Sequence, residues 1–390
     1  MAIRARADWR GSPKRVQSDG RHFDGIAMYA SNWTTLGPQQ VQALKNMDRS
    51  RQARGRQLEQ AGHGPQQTPF TVILAETGLQ LRRYEPAAAG GPAVLLVPAP
   101  IKRAYIWDLA PAISVVRRWQ ERGYRVYLAE WLPMPDGDPA VGLADYGERM
   151  LSSCQRAIQA DSGAASLSVV GHSLGGILAA IYSAMHPERV TATVLLESPL
   201  RFAHGASCFA PLVKATPDAR HIAEAFHHVP GAFLNMMSAM AEPHAFGWER
   251  ATDRWLSLFD PTAMATHMQV ERWSHDEFAL PGKLFVDIVE SLYRNDDFMA
   301  GRLVIDGRTI GPADLRAPLI SVVDLRSKVI PPAAVVPFHE ATSSTRKQVL
   351  HYHGDIGVNL QHVGVLAGRS AHANLWPTIF DWLGAPSPNA

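Results

Sequence analysis

A serine between two glycines is the part of this chain best suited to nucleophilic chemistry. The run from Gly171 to Gly175 (GHSLG) follows an apolar, β-type stretch and precedes an Ala- and Ile-rich stretch that favours a helix. In such a strand–turn–helix setting the serine adopts a strained backbone conformation, with its hydroxyl exposed at the end of a sheet. Only small residues fit beside such a tight turn, so there is a steric reason for glycine at both Gly171 and Gly175. We therefore predict that Ser173 is a catalytic nucleophile.

The base that activates this serine is expected to be a histidine near the carboxyl end of the chain. A serine hydroxyl needs a base to remove its proton, and a carboxylate must hold that base in the right tautomer. In enzymes with this type of turn the chain order is nucleophile, acid, histidine, and the histidine lies on a loop after the last strand. His362 is predicted to lie on such a loop. His351 and His353 fall on or at the end of the predicted last strand, and His372 lies in the run toward the final helix, so they are weaker candidates.

The elements that must position these residues alternate between strand and helix. A predicted hairpin around Gly78 is followed by strands over residues 93–97, 125–129, 167–170, 190–196, 319–323 and 348–352. Helices are predicted over residues 115–122, 143–159 and 376–383, with another directly after Ser173. This alternation predicts an α/β fold with a mostly parallel sheet that helices cover on both faces.

Two segments lie outside this alternation. Residues 199–311 carry Phe, Trp and Met at helical spacings and are too long for a loop, so we predict a helical cap inserted over the active site. Residues 1–65 are polar and rich in Arg and Gln, and are predicted to form an extension with one helix from Pro38 to about Gln60, either solvated or docked on a partner. The α/β core then comprises residues 66–198 and 312–390.

Composition restricts the class of protein. The net charge of +2 over 390 residues gives no reason to expect a nucleic-acid partner, and no apolar run reaches membrane-spanning length. The segment from Met1 to Lys14 has arginines but no apolar run after them, so no secretory signal is predicted. Cys154 and Cys208 lie far apart and match no metal-site spacing, which favours a reduced, cytoplasmic setting. We expect no metal and no cofactor.

Several further motifs are typical of one family. They are LLVP at 95–98 with YIWDL at 105–109, RGYRVYL at 122–128 with EW at 130–131, HPERV at 186–190, VERW at 270–273, VIPP at 329–332 and HVG at 362–364. With these motifs, residues 69–383 resemble the polyhydroxyalkanoate synthases, relatives of the α/β-hydrolases that polymerise 3-hydroxyacyl-CoA. The resemblance implies an α/β-hydrolase fold, a 3-hydroxyacyl ester or thioester substrate and His362 as catalytic base. The chain length is similar to that of the shorter synthases, so a homodimer or a synthase-type partner subunit is expected.

Two positions depart from the synthase pattern. The synthases have a cysteine where this chain has Ser173, and a thiolate is the better nucleophile and leaving group for moving a chain between thioesters. The family's catalytic aspartate corresponds to Ser327 here. Because a serine ester suits transfer to water, the sequence favours a serine esterase or thioesterase over a serine-dependent polyhydroxyalkanoate synthase. The missing acid motivates a third hypothesis, a non-catalytic homologue that binds polymer granules or a synthase partner.

Three carboxylates are candidates for the missing acid. Glu197 follows the strand over 190–196, an arrangement that resembles the haloalkane dehalogenases, and a carboxylate at such a buried place needs a partner. Asp324 lies at the end of the strand over 319–323, and Asp355 lies on the predicted histidine loop, where a structural role is favoured. We rank Glu197 first, Asp324 second and Asp355 third.

The oxyanion of an acyl-transfer intermediate needs two backbone N–H groups. Leu174 directly follows the nucleophile at the start of a helix, where the helix dipole helps. The second donor is expected from the loop after residue 97. Pro98 and Pro100 have no N–H, so Ile101 is the preferred donor and Ala99 the second choice.

Overall fold

The structure is a computed structural model that describes residues 36–84, 90–135, 141–203, 205–216 and 218–384. The first 35 residues of the predicted N-terminal extension lie outside the described residues. The expectation that the segment from Met1 to Lys14 is not a secretory signal therefore stays a prediction. No helix in the described ranges is both long and apolar enough to cross a bilayer.

An eight-stranded sheet forms the centre of the fold. Its strands are β1 Phe70–Glu76, β2 Leu79–Tyr84, β3 Ala93–Val97, β4 Arg125–Trp131, β5 Leu167–His172, β6 Val190–Leu196, β7 Leu319–Asp324 and β8 Lys347–Tyr352. In space they follow the order β1-β2-β4-β3-β5-β6-β7-β8. Strand β2 pairs antiparallel with β1 and with β4, and the remaining pairs are parallel. The predicted mostly parallel sheet is confirmed.

Helices cover both faces of the sheet and fill the segment between β6 and β7. The α-helices are α1 Pro38–Leu58, α2 Val115–Glu121, α3 Met150–Ser162, α4 Leu174–Met185, α5 Ala210–Ala215, α6 Arg220–Phe226, α7 Gly231–Ala241, α8 Arg250–Ser257, α9 Pro261–Ser274, α10 Gly282–Asp287, α11 Val336–Ala341, α12 Gln361–Ala367 and α13 Trp376–Gly384. Wider, π-type turns extend five of them, at Glu59–His63, Asp145–Arg149, His244–Glu249, Ile288–Arg294 and Ala371–Leu375. Short antiparallel pairs join His228–Val229 to Leu280–Pro281 and Leu303–Ile305 to Arg308–Ile310.

The buried strands carry apolar side chains on both faces. Successive residues of a strand point to opposite faces, so Leu95 and Val169 belong to one apolar cluster while Leu96 and Val170 belong to the other. The first cluster continues into α3, α4 and the cap, and the second into α2 and α13. Near-continuous apolar runs are typical of parallel strands buried on both sides.

Helix α1 packs against the cap instead of standing free in solvent. Its residues Leu44, Gly55 and Leu58 are buried. The carboxylate of Asp48 accepts a hydrogen bond of 2.6 Å from the peptide N–H of Ala232, which lies in α7. The interpretation of this helix as a solvated element is therefore wrong for the face that contacts the cap, because Leu44 and Leu58 are buried on that face.

Parallel pairing brings three strand ends to one edge of the sheet. In β5 the last residue, His172, pairs with Leu196, the last residue of β6. Strand β7 runs parallel to β6 and ends at Asp324. Ser173 and Glu197 each follow the last residue of their strand, so this edge holds the predicted nucleophile and both leading acid candidates.

Candidate active site

Ser173 occupies a sharp turn between β5 and α4. Its φ of 56° and ψ of −127° lie in a region that costs a non-glycine residue strain. A side chain at Gly171 would place its Cβ 2.5 Å from the carbonyl oxygen of Gly175, and a Cβ at Gly175 would lie 2.2 Å from the carbonyl oxygen of Val97. Both glycines are therefore required sterically, as the sequence predicts.

His362 faces the same cavity as Ser173 and contacts a buried carboxyl. Its Nδ1 lies 2.8 Å from Oε2 of Glu197. In the tautomer with the proton on Nδ1, this N–H donates to the carboxylate and Nε2 is the basic nitrogen. Burial lowers the pKa of the imidazole to about 4, so the ring is neutral at pH 7. The prediction of a loop at this position is wrong, since helix α12 begins at Gln361 and His362 is its second residue.

Glu197 directly follows β6 and is fully buried. Its φ of 43° turns the chain sharply out of the sheet, and its peptide N–H donates to the carbonyl of Val322 at 2.9 Å. Burial raises the pKa of its carboxyl well above the ordinary value, and the nearby charge of Asp324 acts in the same direction. The geometry thus places a buried carboxyl against the imidazole.

The other two acid candidates have different partners. Asp324 ends β7, and its carboxylate accepts hydrogen bonds from the backbone N–H of Arg326 at 2.8 Å and from the guanidinium Nε of the same residue at 3.2 Å. Asp355 accepts from the hydroxyl of Tyr352 at 3.0 Å and from the peptide N–H of Ser370 at 2.8 Å, which fixes a turn. The structure therefore brings Glu197 to His362, and leaves Asp324 and Asp355 in other hydrogen bonds.

The remaining candidates from the sequence are distributed as follows. Ser327, at the family's acid position, accepts a hydrogen bond of 3.0 Å from the N–H of Ile330 and caps a turn. His351 and His353 are exposed, and the ring of buried His372 lies 2.8 Å from the carbonyl of Leu366. In the described ranges no group of three or more His, Cys, Asp or Glu side chains has the geometry to hold a metal ion.

Leu174 and Ile101, the predicted oxyanion donors, both line the cavity above Ser173. Leu174 is the first residue of α4, so no carbonyl one turn earlier accepts its N–H. The loop after β3 packs on the turn, because the position of a Cβ at Gly175 would also lie 2.5 Å from Pro98. The indole of Trp131 donates to the Pro98 carbonyl at 2.7 Å and holds this loop in place.

Two features of the site have little signal in the sequence. The ring of His172 stacks on that of His362 at 4.5 Å between centroids, and its Nε2 lies 2.8 Å from the His362 carbonyl. Burial lowers the pKa of His172, so its ring is neutral where it stacks on His362. The second feature is an ion pair of Lys102 with Glu277 at the cavity wall, with 2.8 Å between Nζ and Oε2. Only the adjacency of Lys102 to Ile101 could have drawn attention to it.

The cavity over Ser173 has a volume of about 310 Å³. Its floor includes Ser173, Leu174 and His362, and its walls come mainly from apolar side chains of the cap. A concave, mostly apolar site with a few convergent polar groups is typical of ligand and substrate binding.

Comparisons with known proteins find a family model, several relatives and similar solved structures. A family model for the alpha/beta hydrolase fold matches residues 92–235. The poly(3-hydroxyalkanoate) polymerase subunit PhaC of Haloferax mediterranei is 27% identical over 357 residues, which are 89% of this chain and 70% of that protein. The subunit of the same name from Allochromatium vinosum is 25% identical, over 81% of this chain and 88% of that protein. The solved structure of an enol-lactonase from Burkholderia xenovorans LB400 aligns with 81% of this chain and 100% of its own, at a TM-score of 0.49 and 12% identity.

The regions aligned with these relatives cover 89% and 81% of this chain, and they include strand β5 and the cap. Together with the sheet order and the strand–turn–helix at Ser173, they indicate an enzyme that is a hydrolase or an acyltransferase. The chain is an enzyme with the α/β-hydrolase fold, and over most of its length it is similar to poly(3-hydroxyalkanoate) polymerases.

Proposed function

We propose that this protein is a serine-dependent acyltransferase that takes 3-hydroxyacyl groups from CoA thioesters and passes them to a hydroxyl acceptor, the end of a growing polyester. The observation that carries the proposal is the hydrogen bond of His362 to Glu197 beside Ser173, inside a cap-covered apolar cavity. Relatives named as poly(3-hydroxyalkanoate) polymerases over most of the chain support transfer as the reaction.

The proposed reaction has two half-reactions. In the first, Ser173 Oγ attacks the thioester carbonyl while His362 takes the hydroxyl proton, the C–S bond breaks, and the CoA sulfur leaves with that proton. In the second, the acceptor hydroxyl attacks the Ser173 ester, gives its proton to His362, and the proton returns to Oγ as the ester bond breaks. Glu197 orients the imidazole and stabilises its charged form. The Leu174 and Ile101 amides stabilise the oxyanion in both steps.

The sequence favours hydrolysis, and this remains the second candidate function. It is supported by Ser173 itself, because an alkoxide is a poorer leaving group than a thiolate when the chain is passed on. The relatives and the apolar cavity support transfer instead, since an apolar site favours an ester-rich chain end over water. A non-catalytic binding role is disfavoured, because such a protein has no need for a buried carboxyl held against a histidine.

One incubation separates these functions. Purified protein is mixed with 3-hydroxybutyryl-CoA and, separately, with 3-hydroxydecanoyl-CoA, and free CoA, free hydroxy acid and insoluble polyester are measured in the same tube. We expect CoA release with polyester. CoA release with free acid alone would replace transfer by hydrolysis. No CoA release, together with no labelling of Ser173 by a fluorophosphonate, would contradict both.

A further inference from the structure

The cavity over Ser173 is larger than a four-carbon acyl group needs. An apolar protein cavity of about 150 Å³ already accommodates benzene, which has six carbons. The cavity here has about twice that volume, which corresponds to roughly twelve carbons. A 3-hydroxybutyryl group would leave most of the space empty.

The walls of this cavity are suited to an alkyl tail. They include Val213 of α5, Ile222 of α6 and Met237 of α7, together with Val289 from the turn after α10. These residues come from four separate elements of the cap, so the tail would pass between cap helices and not along the surface of the sheet. Methionine adapts its shape to chains of different length.

We propose that this site takes medium-chain 3-hydroxyacyl groups of about eight to twelve carbons. The proposal rests on the proposed acyl-transfer function and narrows its substrate. Each methylene that leaves water on binding raises kcat/KM about fourfold while the cavity still has room. Lengthening from four to ten carbons adds six such methylenes, which together would raise kcat/KM up to about 4,000-fold.

The test is the rate of CoA release with 3-hydroxyacyl-CoAs of four to fourteen carbons. We expect an optimum at eight to twelve carbons in the wild type, and a shift to shorter chains in Val289→Phe, which fills the cavity. The control is Val304→Phe, the same substitution on an exposed strand outside the cavity. An optimum at four carbons, or an unchanged optimum in Val289→Phe, overturns the chain-length proposal and leaves acyl transfer standing. Absence of CoA release at every length would instead contradict the function.

A second observation concerns how the loop that carries Ile101 is held. Lys102 donates to the carbonyl of Ser274 at 2.7 Å and to the carboxylate of Glu277 at 2.8 Å. Lys102 and Glu277 also form an isolated antiparallel β-bridge, and the N–H of Phe278 donates to the Ile101 carbonyl at 3.4 Å. The cap segment after α9 is thus attached to the loop of the predicted oxyanion donor.

Helix α1 completes this attachment. Arg51 forms an ion pair with the other oxygen of Glu277, and its guanidinium donates to the Ser274 carbonyl at 2.9 Å. Glu277 is almost fully buried, and although burial alone raises the pKa of its carboxyl, the charges of Lys102 and Arg51 bring that pKa below its usual value. One buried carboxylate therefore links α1, the cap and the loop after β3.

We infer that Arg51 is a positioning residue, which acts through Glu277 and Lys102 to fix the Ile101 amide for the oxyanion. The inference rests on the proposed function of that amide. Its consequence is specific: loss of Arg51 weakens the stabilisation of a tetrahedral intermediate and leaves the binding of the acyl tail unchanged.

The test compares Arg51→Met with Arg51→Lys and with the control Arg54→Met, an exposed arginine of the same helix. For Arg51→Met we expect kcat to fall about ten- to a hundredfold with KM unchanged, and the affinity for a trifluoromethyl ketone, which forms a tetrahedral adduct, to fall by the same factor. Arg51→Lys should retain most of the wild-type kcat and ketone affinity, and Arg54→Met should retain both in full. If Arg51→Met folds poorly, Glu277→Gln gives the same comparison. A lower Tm of Arg51→Met with unchanged kcat and ketone affinity would overturn the inference. Absence of CoA release by the wild type would instead contradict the proposed function.

Discussion

Glu197 directly follows strand β6 and Asp324 is the last residue of the neighbouring parallel strand β7, so both lie at one edge of the sheet. Their carboxyl groups nevertheless have different partners. Asp324 is bound by the backbone and side chain of Arg326, two residues further along the chain. Two residues after Glu197 the chain has Pro199 instead of an arginine, and Oε2 of Glu197 faces Nδ1 of His362 at 2.8 Å. The difference shows that the availability of a carboxyl depends on the charges close to it in sequence, and not only on its place at a strand end.

The largest effect is expected for Glu197→Gln. The amide keeps the shape of the side chain but cannot stabilise a charged imidazole, and it permits the wrong tautomer. We expect kcat/KM to fall about 10³- to 10⁴-fold, as for an Asp-to-Asn change in other triads. CoA release by the purified variant measures it, and circular dichroism is the control for folding. A loss below about tenfold would remove Glu197 from the mechanism.

The second-largest effect is expected in the pH dependence of kcat/KM. Because burial lowers the pKa of His362 to about 4, its imidazole stays neutral and basic down to that pH, and protonation of this ring should lower kcat/KM only as the pH drops through about 4. Any fall of kcat/KM at higher pH then belongs to the Glu197 carboxyl, whose pKa burial raises. At pH 5 a histidine of ordinary pKa would retain only about 3% of its neutral form, whereas His362 retains about 90%. Titration of the His362 ring by NMR, run beside the profile of kcat/KM for CoA release, checks this, and a ring midpoint near 6.5 would contradict the burial of the base.

A smaller effect is expected for Asp324→Asn. The substitution removes one ion pair with Arg326 and a negative charge close to Glu197, but no contact to His362. We expect kcat/KM to change less than about tenfold. The same CoA-release assay measures it, and a loss as large as that of Glu197→Gln would show that the two carboxyls act as a pair.

The smallest effect concerns stability. Burial raises the pKa of Glu197 in the folded state above 4.5, its value in the unfolded state. Between pH 4.5 and the raised pKa the folded state therefore binds more protons, and this group lowers the free energy of unfolding as the pH rises through that range. Glutamine does not ionise. We therefore expect the Tm of Glu197→Gln, relative to the wild type, to rise between pH 4.5 and pH 7.5. Calorimetry at both pH values checks the sign, and a relative Tm that falls would contradict it.

The sequence predicts much of the fold and the residues that meet in the site, because local signals carry them. The apolar strands, the glycines around Ser173 and the position of Glu197 after a strand are all readable from neighbouring residues. The start of α12 at Gln361 is less readable, since the residues before His362 lack a side-chain cap.

What the sequence does not predict depends on residues far apart along the chain. Glu277 pairs with Lys102, 175 residues earlier, and with Arg51, 226 residues earlier. No periodicity or motif links positions at such distances. The helix that carries Arg51 therefore looks like a solvated, polar helix until the fold places it on the cap.

The most direct test of acyl transfer through Ser173 is to trap the acyl-enzyme. The protein is mixed with 3-hydroxydecanoyl-CoA, and the reaction is quenched with acid within the first turnover. The protein is then digested, and the masses of its peptides are measured by mass spectrometry. We expect one hydroxyacyl adduct on the peptide that contains Ser173, and none in Ser173→Ala, which should also release no CoA. An adduct on Cys154 or Cys208, or continued CoA release by Ser173→Ala, would contradict the mechanism.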